Sequence, residues 1–403
     1  MIFDERSATI VGVKFRMATT DDSHLPTYDN TKLTAYNTCP TWGTIRYGLH
    51  KTMQGSGRSL ALECGSAMHE VFAFVRFMQL LHHLEESGRV DVAKGVFARH
   101  MPRLFGDDRW ALIQQSMGDT TEVSLQTIRG CVSVLETSGF YDDPRDKRRT
   151  LSNMEEAAIA YVNRVKWDER VWMRDYDDPN SDIGIEIPFD VVVNTQYKLE
   201  ITGDYGSETD FDYVIDKERP DVEVTHGPRP GYDYMYCSVS RRFTGKIDGI
   251  HYNTNNEIVL DENKTASRLN DAWVQSFTVN SQPTGYLIAV STFTNSNVRK
   301  ADIHGISIPM PKTYDYGGIV REPITRTDHH FASWIKWFNV TAFGIESDLA
   351  NPMGALRYTH SCNRYFRPCA FIPLCDSDEN EQQKILSEMV HDEWSPLKEE
   401  VGE

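Results

Sequence analysis

The chain has 403 residues, of which 40% are hydrophobic and 25% charged, and its formal net charge is −17. This length and composition are typical of a globular protein with one large domain or two to three smaller ones. No run of about 18 apolar residues predicts a transmembrane helix. The first residues lack the basic and apolar blocks of a secretory signal, so we expect a cytoplasmic protein, in a host cytoplasm if the chain is viral.

The negative charge is concentrated in two segments. Segment 196–235 carries a net charge of −6 and segment 376–403 carries −8, which leaves the rest of the chain close to neutral. Proteins that bind nucleic acids usually present a basic surface, so we expect any DNA groove to be local. We predict that 196–235 is an insertion in a hairpin and 381–403 an acidic tail, and that either could meet a protein partner. The candidate groove cations are Arg145, Lys147, Arg148, Arg149, Arg241, Arg242 and Lys246.

The first part of the chain is predicted to be mainly helical after an edge strand at Ala8–Phe15. Asp29 or Asn30 could cap a first short helix. A broad apolar face then indicates a long buried helix, which His69 would open. Region 60–170 is therefore predicted to be mainly helical. The predicted helices are Thr31–Thr38, Met68–Leu84, 88–104, 120–138 and 151–167.

A strand–turn–strand pattern follows the predicted strand Ile183–Val193. The first strand carries Asp248, NTNN is a turn signal, and the second strand runs from residue 257 to 264. Because side chains alternate along a strand, Glu262 and Lys264 share one face, while Asp261 points to the other. Two carboxylates beside a lysine can hold Mg²⁺ or Mn²⁺ and orient an attacking water.

The elements after this hairpin are a helix, a strand and a second helix. Ser281-Gln282-Pro283 resembles a helix start, because proline is tolerated in the first turn. Gln282 and Tyr286 are four residues apart and therefore share a helix face. His304–Pro309 indicates a further core strand. Phe331–Phe343 indicates an amphipathic helix, whose aromatic residues we expect in the core. These aromatic residues are Trp334, Trp337 and Phe338.

Four motifs in this order resemble the RecB-like branch of the PD-(D/E)XK nucleases. Gly65–His69 matches G-x-x-x-H, Gly245–Asp248 matches G-x-x-D, Glu262–Lys264 matches E-x-K, and Gln282–Tyr286 matches Q-x-x-x-Y. An isolated E-x-K on a strand is more often an exposed ion pair. The order of the four motifs over some two hundred residues is what carries the resemblance.

The resemblance implies an α/β fold with a restriction-endonuclease-like core and a mixed central sheet. The whole chain, 1–403, would form a single nuclease domain with its sheet core at 183–310. Glu186 would either support the site or belong to a surface ladder. The implied metal ligands are Asp248, Glu262, His69 and the Asn263 backbone carbonyl. The implied catalytic residues are Asp248, Glu262, Lys264, Gln282 and Tyr286.

The seven cysteines are the second group of candidate functional residues. An odd number without a secretory signal argues against a disulfide framework. Three of them lie in segment 355–380 with the spacing C-x6-C-x5-C, and a fourth, N-terminal cysteine would complete a metal site. This arrangement resembles the iron–sulfur branch of the family, which includes the AddB nuclease, CRISPR-associated adaptation exonucleases and phage exonucleases, although its usual spacing is C-x2-C-x5-C. The implied [4Fe-4S] ligands, with zinc as the alternative metal, are Cys39, Cys362, Cys369 and Cys375.

The resulting functional prediction is a Mg²⁺- or Mn²⁺-dependent DNA exonuclease. It would hydrolyse phosphodiester bonds of single-stranded DNA or of DNA ends in recombination, repair or phage DNA metabolism. Two alternatives stay open at this point. One is a catalytically silent nuclease-fold adaptor subunit of a DNA-processing complex. The other is an interaction module stapled by metal at the four cysteines, in which Cys64, Cys131 and Cys237 are buried thiols.

Overall fold

The structure is a computed structural model that describes residues 7–53, 59–118, 122–200, 222–226, 234–310, 318–364 and 367–395. Over these residues the protein combines α-helices with a mixed β-sheet. The helices are α1 (Asn30–Thr38), α2 (Pro40–Gly43), α3 (Leu60–Glu86), α4 (Val90–Phe105), α5 (Asp107–Met117), α6 (Val123–Glu136), α7 (Leu151–Val162), α8 (Asp271–Ser276), α9 (Ser281–Thr294), α10 (Asp328–Ala350), α11 (Ile372–Asp376) and α12 (Glu379–Glu388). The strands are β1 (Ser7–Ile10), β2 (Val13–Met17), β3 (Thr27–Tyr28), β4 (Lys51–Thr52), β5 (Arg170–Val171), β6 (Ile185–Glu200), β7 (Val222–His226), β8 (Tyr234–Tyr252), β9 (Ile258–Ala266), β10 (Lys300–Ser307), β11 (Ile319–Thr325), β12 (Asn363–Arg364), β13 (Arg367–Pro368) and β14 (Val390–His391).

The central sheet has the strand order β1-β2-β6-β8-β9-β10-β11 in the described part of the chain. Strands β6, β8 and β9 pair antiparallel as successive hairpins. Strand β10 pairs parallel with β9, which requires a crossover, and helices α8 and α9 supply it. The predicted α/β class and the mixed central sheet are therefore confirmed.

Helices cover both faces of this sheet. Helices α3 to α7 form one apolar cluster, in which Phe74 and Phe77 of α3 are fully buried. Helices α9 and α10 form the other cluster, where Trp334 and Phe338 pack against Phe243 of β8. Trp334 and Phe338 thus belong to the core, and Trp337 is partly buried against it, as predicted. None of the helices described is long and apolar enough to cross a membrane.

Three local predictions differ from the structure. The long helix α3 begins at Leu60, so His69 lies in its third turn instead of opening it. The edge strand predicted at Ala8–Phe15 is a hairpin of β1 and β2, in which Val11 and Gly12 both take positive φ, as a two-residue turn requires. Helix α5 was not among the predicted helices; it begins directly after Gly106, whose positive φ of 76° separates it from α4.

The two acidic segments are partly structured. Strand β6 continues through residues 196–200 and β8 begins at Tyr234, so the predicted insertion starts and ends as an extension of its own hairpin. Strand β7 also pairs with β8, whereas residues 201–221 and 227–233 lie outside the described residues. In the predicted tail, α12 and β14 are formed, and β14 pairs with β4 near the N-terminus.

Candidate active site

The site forms where the β8–β9 ladder ends. The last paired residues are Gly249 and Asp261, and Asp248 and Glu262 follow immediately on their respective strands. The backbone amide of Asn263 donates a hydrogen bond of 2.6 Å to Oδ2 of Asp248. Nδ1 of His69 lies 3.2 Å from the other oxygen, Oδ1. Both oxygens of Asp248 are therefore oriented, one by β9 and one by α3.

Glu262 and Lys264 lie next to each other on β9, as the alternation of side chains predicted. The ammonium of Lys264 contacts Oε1 of Glu262, whose side chain is 1% exposed. The second oxygen, Oε2, is buried and has no hydrogen-bond partner among the described residues. A buried carboxylate oxygen without a partner is costly, and a divalent cation bound there would satisfy it. The donor set therefore fits a hard metal ion.

Glu186 is the ligand candidate whose position the sequence left open. It lies on β6 between the paired residues Ile185 and Ile187, opposite Asp248, and its φ is +48°. The ligand atoms of His69, Glu186 and Asp248 lie within 4.8 Å of one another. Lys246 also pairs with Glu186 at 2.6 Å. Glu186 thus belongs to the group that can hold the metal rather than to a surface ladder.

The charges of the site are strongly coupled. Burial raises the pKa of Glu262 to about 7, with Lys264 opposing the shift and Asp248 adding to it. Burial also acts to raise the pKa of Asp248, but His69 and Lys264 outweigh it and hold this pKa below its usual value. The reverse holds for Lys264, where burial is outweighed by Glu262 and Asp248, so the pKa of its ammonium is raised. Lys264 is therefore charged at neutral pH.

Gln282 and Tyr286 reach the site from α9. The side-chain amide of Gln282 donates a hydrogen bond of 3.1 Å to the hydroxyl of Tyr286. The pKa of this hydroxyl is raised by burial and by the nearby carboxylates of Glu262 and Asp248. Because the hydroxyl is an acceptor for Gln282, its own proton is free to point towards the acidic groups. The hydroxyl of Tyr286 thus lies within electrostatic range of Glu262 and Asp248.

Asn263 contacts the site through its backbone amide, which orients Asp248. The predicted role of its backbone carbonyl as a metal ligand stays a prediction. The side-chain oxygen Oδ1 of Asn263 is buried without a partner. By the alternation of β9 this side chain lies on the face opposite Glu262.

A buried charge network lies behind the site, on that opposite face of β9. Asp261 pairs with Arg76 of α3 at 3.0 Å, with His251 at 3.0 Å and with His304 at 2.9 Å. The ligand atoms of His251, Asp261 and Asp302 also lie within 4.8 Å of one another. Arg76 and Arg321 already neutralise the two carboxylates, so this group does not need an ion. Strand alternation predicts that Asp261 points away from the site, and no pattern in the sequence indicates its partners in this network.

The cysteines predicted as a group approach one another at the junction of the chain's two ends. Cys39 ends α1, and the backbone amide of Cys369 donates a hydrogen bond of 2.7 Å to the carbonyl of Cys362. Burial raises the pKa of Cys375, and the thiols of the other three cysteines raise it further. The four side chains are thus within electrostatic range, and all are half-buried and free of disulfides.

The spacing of these sulfurs differs from that of the acidic groups. Among the described residues, the groups of three ligand atoms within 4.8 Å of one another contain only histidine, aspartate and glutamate. A tetrahedral zinc with bonds of about 2.3 Å would hold its sulfurs about 3.8 Å apart. No three of the four cysteine sulfurs lie within 4.8 Å of one another, so the described residues show no cysteine cluster that could hold a metal. A small apolar cluster joins the turn after α2 to the C-terminal segment, and it contains Ile45, Phe371, Leu374 and Met389.

The arrangement at the end of β9 can bind a divalent cation and place a permanent positive charge next to it. No protein-family model matches the chain, and no curated protein sequence matches it either. The four motifs of the RecB-like resemblance nevertheless converge in space, because α3, β8, β9 and α9 each contribute to one site. His69, Asp248, Glu262, Lys264 and Tyr286 are the residues that converge.

Proposed function

We propose that this protein is a Mg²⁺- or Mn²⁺-dependent deoxyribonuclease of the RecB-like PD-(D/E)XK type. One observation carries the proposal: the buried carboxylate of Glu262 contacts the ammonium of Lys264, its Oε2 has no partner among the described residues, and its charge interacts with that of Asp248. A purely structural ion pair would not leave a buried carboxylate oxygen without a partner. The mixed sheet and the helix crossover between β9 and β10 also agree with the core that the resemblance implies.

Different residues of the site would have different roles in phosphodiester hydrolysis. Asp248 and Glu262 would hold the metal, with His69 and Glu186 completing its ligands. When bound, the metal supplies a water of lowered pKa and offsets the charge that develops on the phosphate. Lys264 stays protonated, so it orients the water and stabilises negative charge instead of removing a proton.

Tyr286 and Gln282 have a positioning role in this scheme. The hydroxyl of Tyr286 accepts a hydrogen bond from Gln282 and lies within electrostatic range of the two carboxylates, and it would donate a hydrogen bond to a ligand oxygen or to a water. Phe189 packs edge-on against the ring of Tyr286, with centroids 5.5 Å apart, and this limits its motion. A rigid donor next to a charged intermediate costs little reorganisation at the moment of reaction.

We also propose that Cys39, Cys362, Cys369 and Cys375 hold a [4Fe-4S] cluster. The support is the resemblance, together with the electrostatic influence of the four half-buried thiols on one another. The cluster would be structural, because it would tie α1 to the C-terminal helices α11 and α12. Zinc is the competing occupant. Free thiols of this kind fit a reducing compartment, so we place the protein in the cytoplasm.

Within this class we favour an exonuclease that acts on single-stranded DNA or DNA ends in recombination, repair or phage DNA metabolism. The support is the resemblance to the iron–sulfur branch. The acidic segments would then serve contacts with proteins instead of DNA.

The test is digestion of end-labelled DNA by anaerobically purified protein with Mn²⁺. We expect progressive loss from one end, which also reveals the polarity, and no cleavage by Glu262→Ala or Lys264→Ala. The matched control is Glu257→Gln, which removes an exposed acid just before β9 that pairs with Lys300. If the wild-type protein binds DNA but cuts none while its cluster is intact, the adaptor function replaces the nuclease.

A further inference from the structure

A cavity of about 150 Å³ lies beside the candidate active site. Its walls are Ala61 and Cys64 from the first turns of α3, Arg149 from the loop before α7, and Thr265 and Ser267 at the end of β9. A water molecule takes up on the order of 30 Å³ in the liquid, so the cavity has room for a larger polar group. It opens next to the exposed Ser267.

The cavity connects to the metal ligands along one face of α3. Ala61, Gly65 and His69 are spaced four residues apart, so they lie on the same side of the helix, about 6 Å from one to the next. A Cβ at Gly65 would meet only Oγ1 of Thr265, at 3.7 Å. Thr265 itself directly follows Lys264 on β9. No side chain of Gly65 therefore separates the cavity from the site.

The polar groups of the cavity are donors with unused capacity. One guanidinium nitrogen of Arg149, Nη1, binds Asp146 at 2.6 Å, and the remaining guanidinium N–H groups have no partner among the described residues. The hydroxyls of Thr265 and Ser267 likewise form no hydrogen bond within the described part of the chain. An arginine fork next to two hydroxyls is the donor set that suits the oxygens of a phosphate.

The surroundings of Arg149 add positive charge. It ends the segment Arg145–Arg149, which the sequence had singled out as a candidate basic surface. Lys147 and Arg148 in this segment are exposed, and neither forms an ion pair with another described residue. Exposed cations of this kind attract a phosphate backbone by long-range electrostatics.

A larger cavity on the molecule provides a contrast. It measures about 470 Å³ and is lined by Lys166, Lys300 and Arg321. Each of these three cations is already paired: Lys166 with Glu169, Lys300 with Glu257, and Arg321 with Asp302. Arg149 is likewise paired with Asp146, but the neighbouring Lys147 and Arg148 form no ion pair with another described residue.

We propose that the cavity formed by Arg149, Thr265 and Ser267 is a phosphate-binding subsite for the DNA strand that is cut at Asp248 and Glu262. This inference rests on the proposed nuclease function and extends it with a residue outside the four motifs. The phosphate has two possible sources, an internal phosphodiester next to the scissile one or a terminal phosphate at the strand end. In either case Arg149 sets the position of the strand relative to the metal ligands.

The experiment measures binding of fluorescent single-stranded oligonucleotides without metal, so that no hydrolysis occurs. Wild type, Arg149→Gln and Thr265→Val are compared across a range of salt concentrations, using oligonucleotides with and without terminal phosphates. Thr265→Val removes the hydroxyl and preserves the shape of the side chain. Arg145→Gln is the matched control, because Arg145 belongs to the same segment, is 90% exposed and pairs with Asp143.

We expect Arg149→Gln to weaken binding about tenfold and to lower the slope of log affinity against log salt by about 0.7, the contribution of one phosphate contact. Thr265→Val should weaken binding several-fold, and Arg145→Gln less than Arg149→Gln. A terminal phosphate is the ligand if the wild type prefers phosphorylated ends and Arg149→Gln loses that preference. An equal loss for both kinds of oligonucleotide identifies an internal phosphodiester.

Two results would overturn the subsite in distinguishable ways. If the wild type binds DNA and Arg149→Gln matches it in affinity and salt dependence, the subsite is wrong while the nuclease proposal stands. If the wild type binds no DNA at all, the proposed function and the subsite fall together.

Discussion

Glu186 lies opposite Asp248 across the β6–β8 pairing, and its backbone is left-handed with φ of +48°. A residue other than glycine in this conformation costs about 1–3 kcal/mol. The surrounding ladder holds it there, since Ile185 and Ile187 on either side remain paired. The result is that a ligand oxygen of Glu186 comes within 4.8 Å of ligand atoms of His69 and Asp248.

This relationship predicts that Glu186 contributes to metal affinity. Replacing Glu186 by Gln should weaken Mn²⁺ binding roughly tenfold, the usual effect of removing a group that supports a metal site. Glu186→Gly should weaken Mn²⁺ binding as well but preserve stability, because glycine adopts positive φ without strain. Isothermal titration calorimetry measures the Mn²⁺ affinity of both variants, with Glu257→Gln as the control. Unchanged affinity in both variants would mean that Glu186 is not a ligand.

Neutralising Asp261 should mainly reduce stability, whereas neutralising the adjacent Glu262 should mainly reduce metal binding. Asp261→Asn should lower the free energy of unfolding by about 3–5 kcal/mol, because it leaves the buried Arg76 with only the more distant Glu169, at 3.9 Å, as a counter-charge. Glu262→Gln should change this free energy by only about 1 kcal/mol, since the partly exposed Lys264 can reach water. Chemical denaturation measures the first effect, and Mn²⁺ titration should show binding lost only in Glu262→Gln. Similar stability losses in the two variants would contradict the assignment of the two faces.

His100 should make the protein sensitive to acid. Burial, with help from Arg99 and Arg103, lowers the pKa of His100 to about 4, and its Nε2 is buried without a partner among the described residues. Below pH about 6.5 the unfolded chain therefore binds more protons than the folded one at this residue. Stability should fall as the pH drops from about 6.5 to about 4. Because the side chain is only half-buried, we expect a loss of about 1–2 kcal/mol.

The measurement is the free energy of unfolding in urea at pH 7 and pH 5. His100→Gln should reduce the loss between these two pH values, because the side chain no longer titrates. His360→Gln is the control, since His360 is an exposed histidine elsewhere on the surface. An identical pH dependence in wild type and His100→Gln would show that other groups govern acid sensitivity.

Two glycines near α3 should respond oppositely to replacement by alanine. Gly65 lies inside the helix, where a Cβ meets only Thr265 at an ordinary contact distance of 3.7 Å, so Gly65→Ala should stabilise the protein by about 0.5–1 kcal/mol. Gly88 follows the helix with φ of +79°, so Gly88→Ala should destabilise it by about 1 kcal/mol. Thermal unfolding measures the change in stability of each variant. Destabilisation by Gly65→Ala would indicate a closer approach of β9 to α3 than the one described.

The cysteine assignment predicts a coloured protein. Anaerobically purified wild type should carry iron, sulfide and a broad visible absorbance, and Cys369→Ser should lose all three and become less stable. Cys64→Ser is the control, because this thiol lies in the cavity beside Arg149, apart from the cysteine group. Elemental analysis distinguishes the metals: a colourless protein with one zinc per chain would establish the alternative occupant.

The arrangement on β9 could be predicted from residue order alone. Strand alternation places Glu262 and Lys264 on one face and Asp261 on the other, a consequence of backbone geometry that needs no tertiary contact. The helix face of Gln282 and Tyr286 follows equally from the 3.6-residue period. Because local periodicity depends only on the order of residues, these parts of the site can be predicted from the sequence.

Only the tertiary structure determines which distant residues contact the site residues of β9 and α9. Glu186 could be placed only by the register of β6 on β8, and Asp261 acquired its partners only when α3 brought Arg76 against the sheet. Arg149 met Thr265 in the same way, across more than a hundred residues of chain. Such contacts depend on how elements pack, and sequence patterns of period two or 3.6 specify which side of an element is buried but not which element covers it.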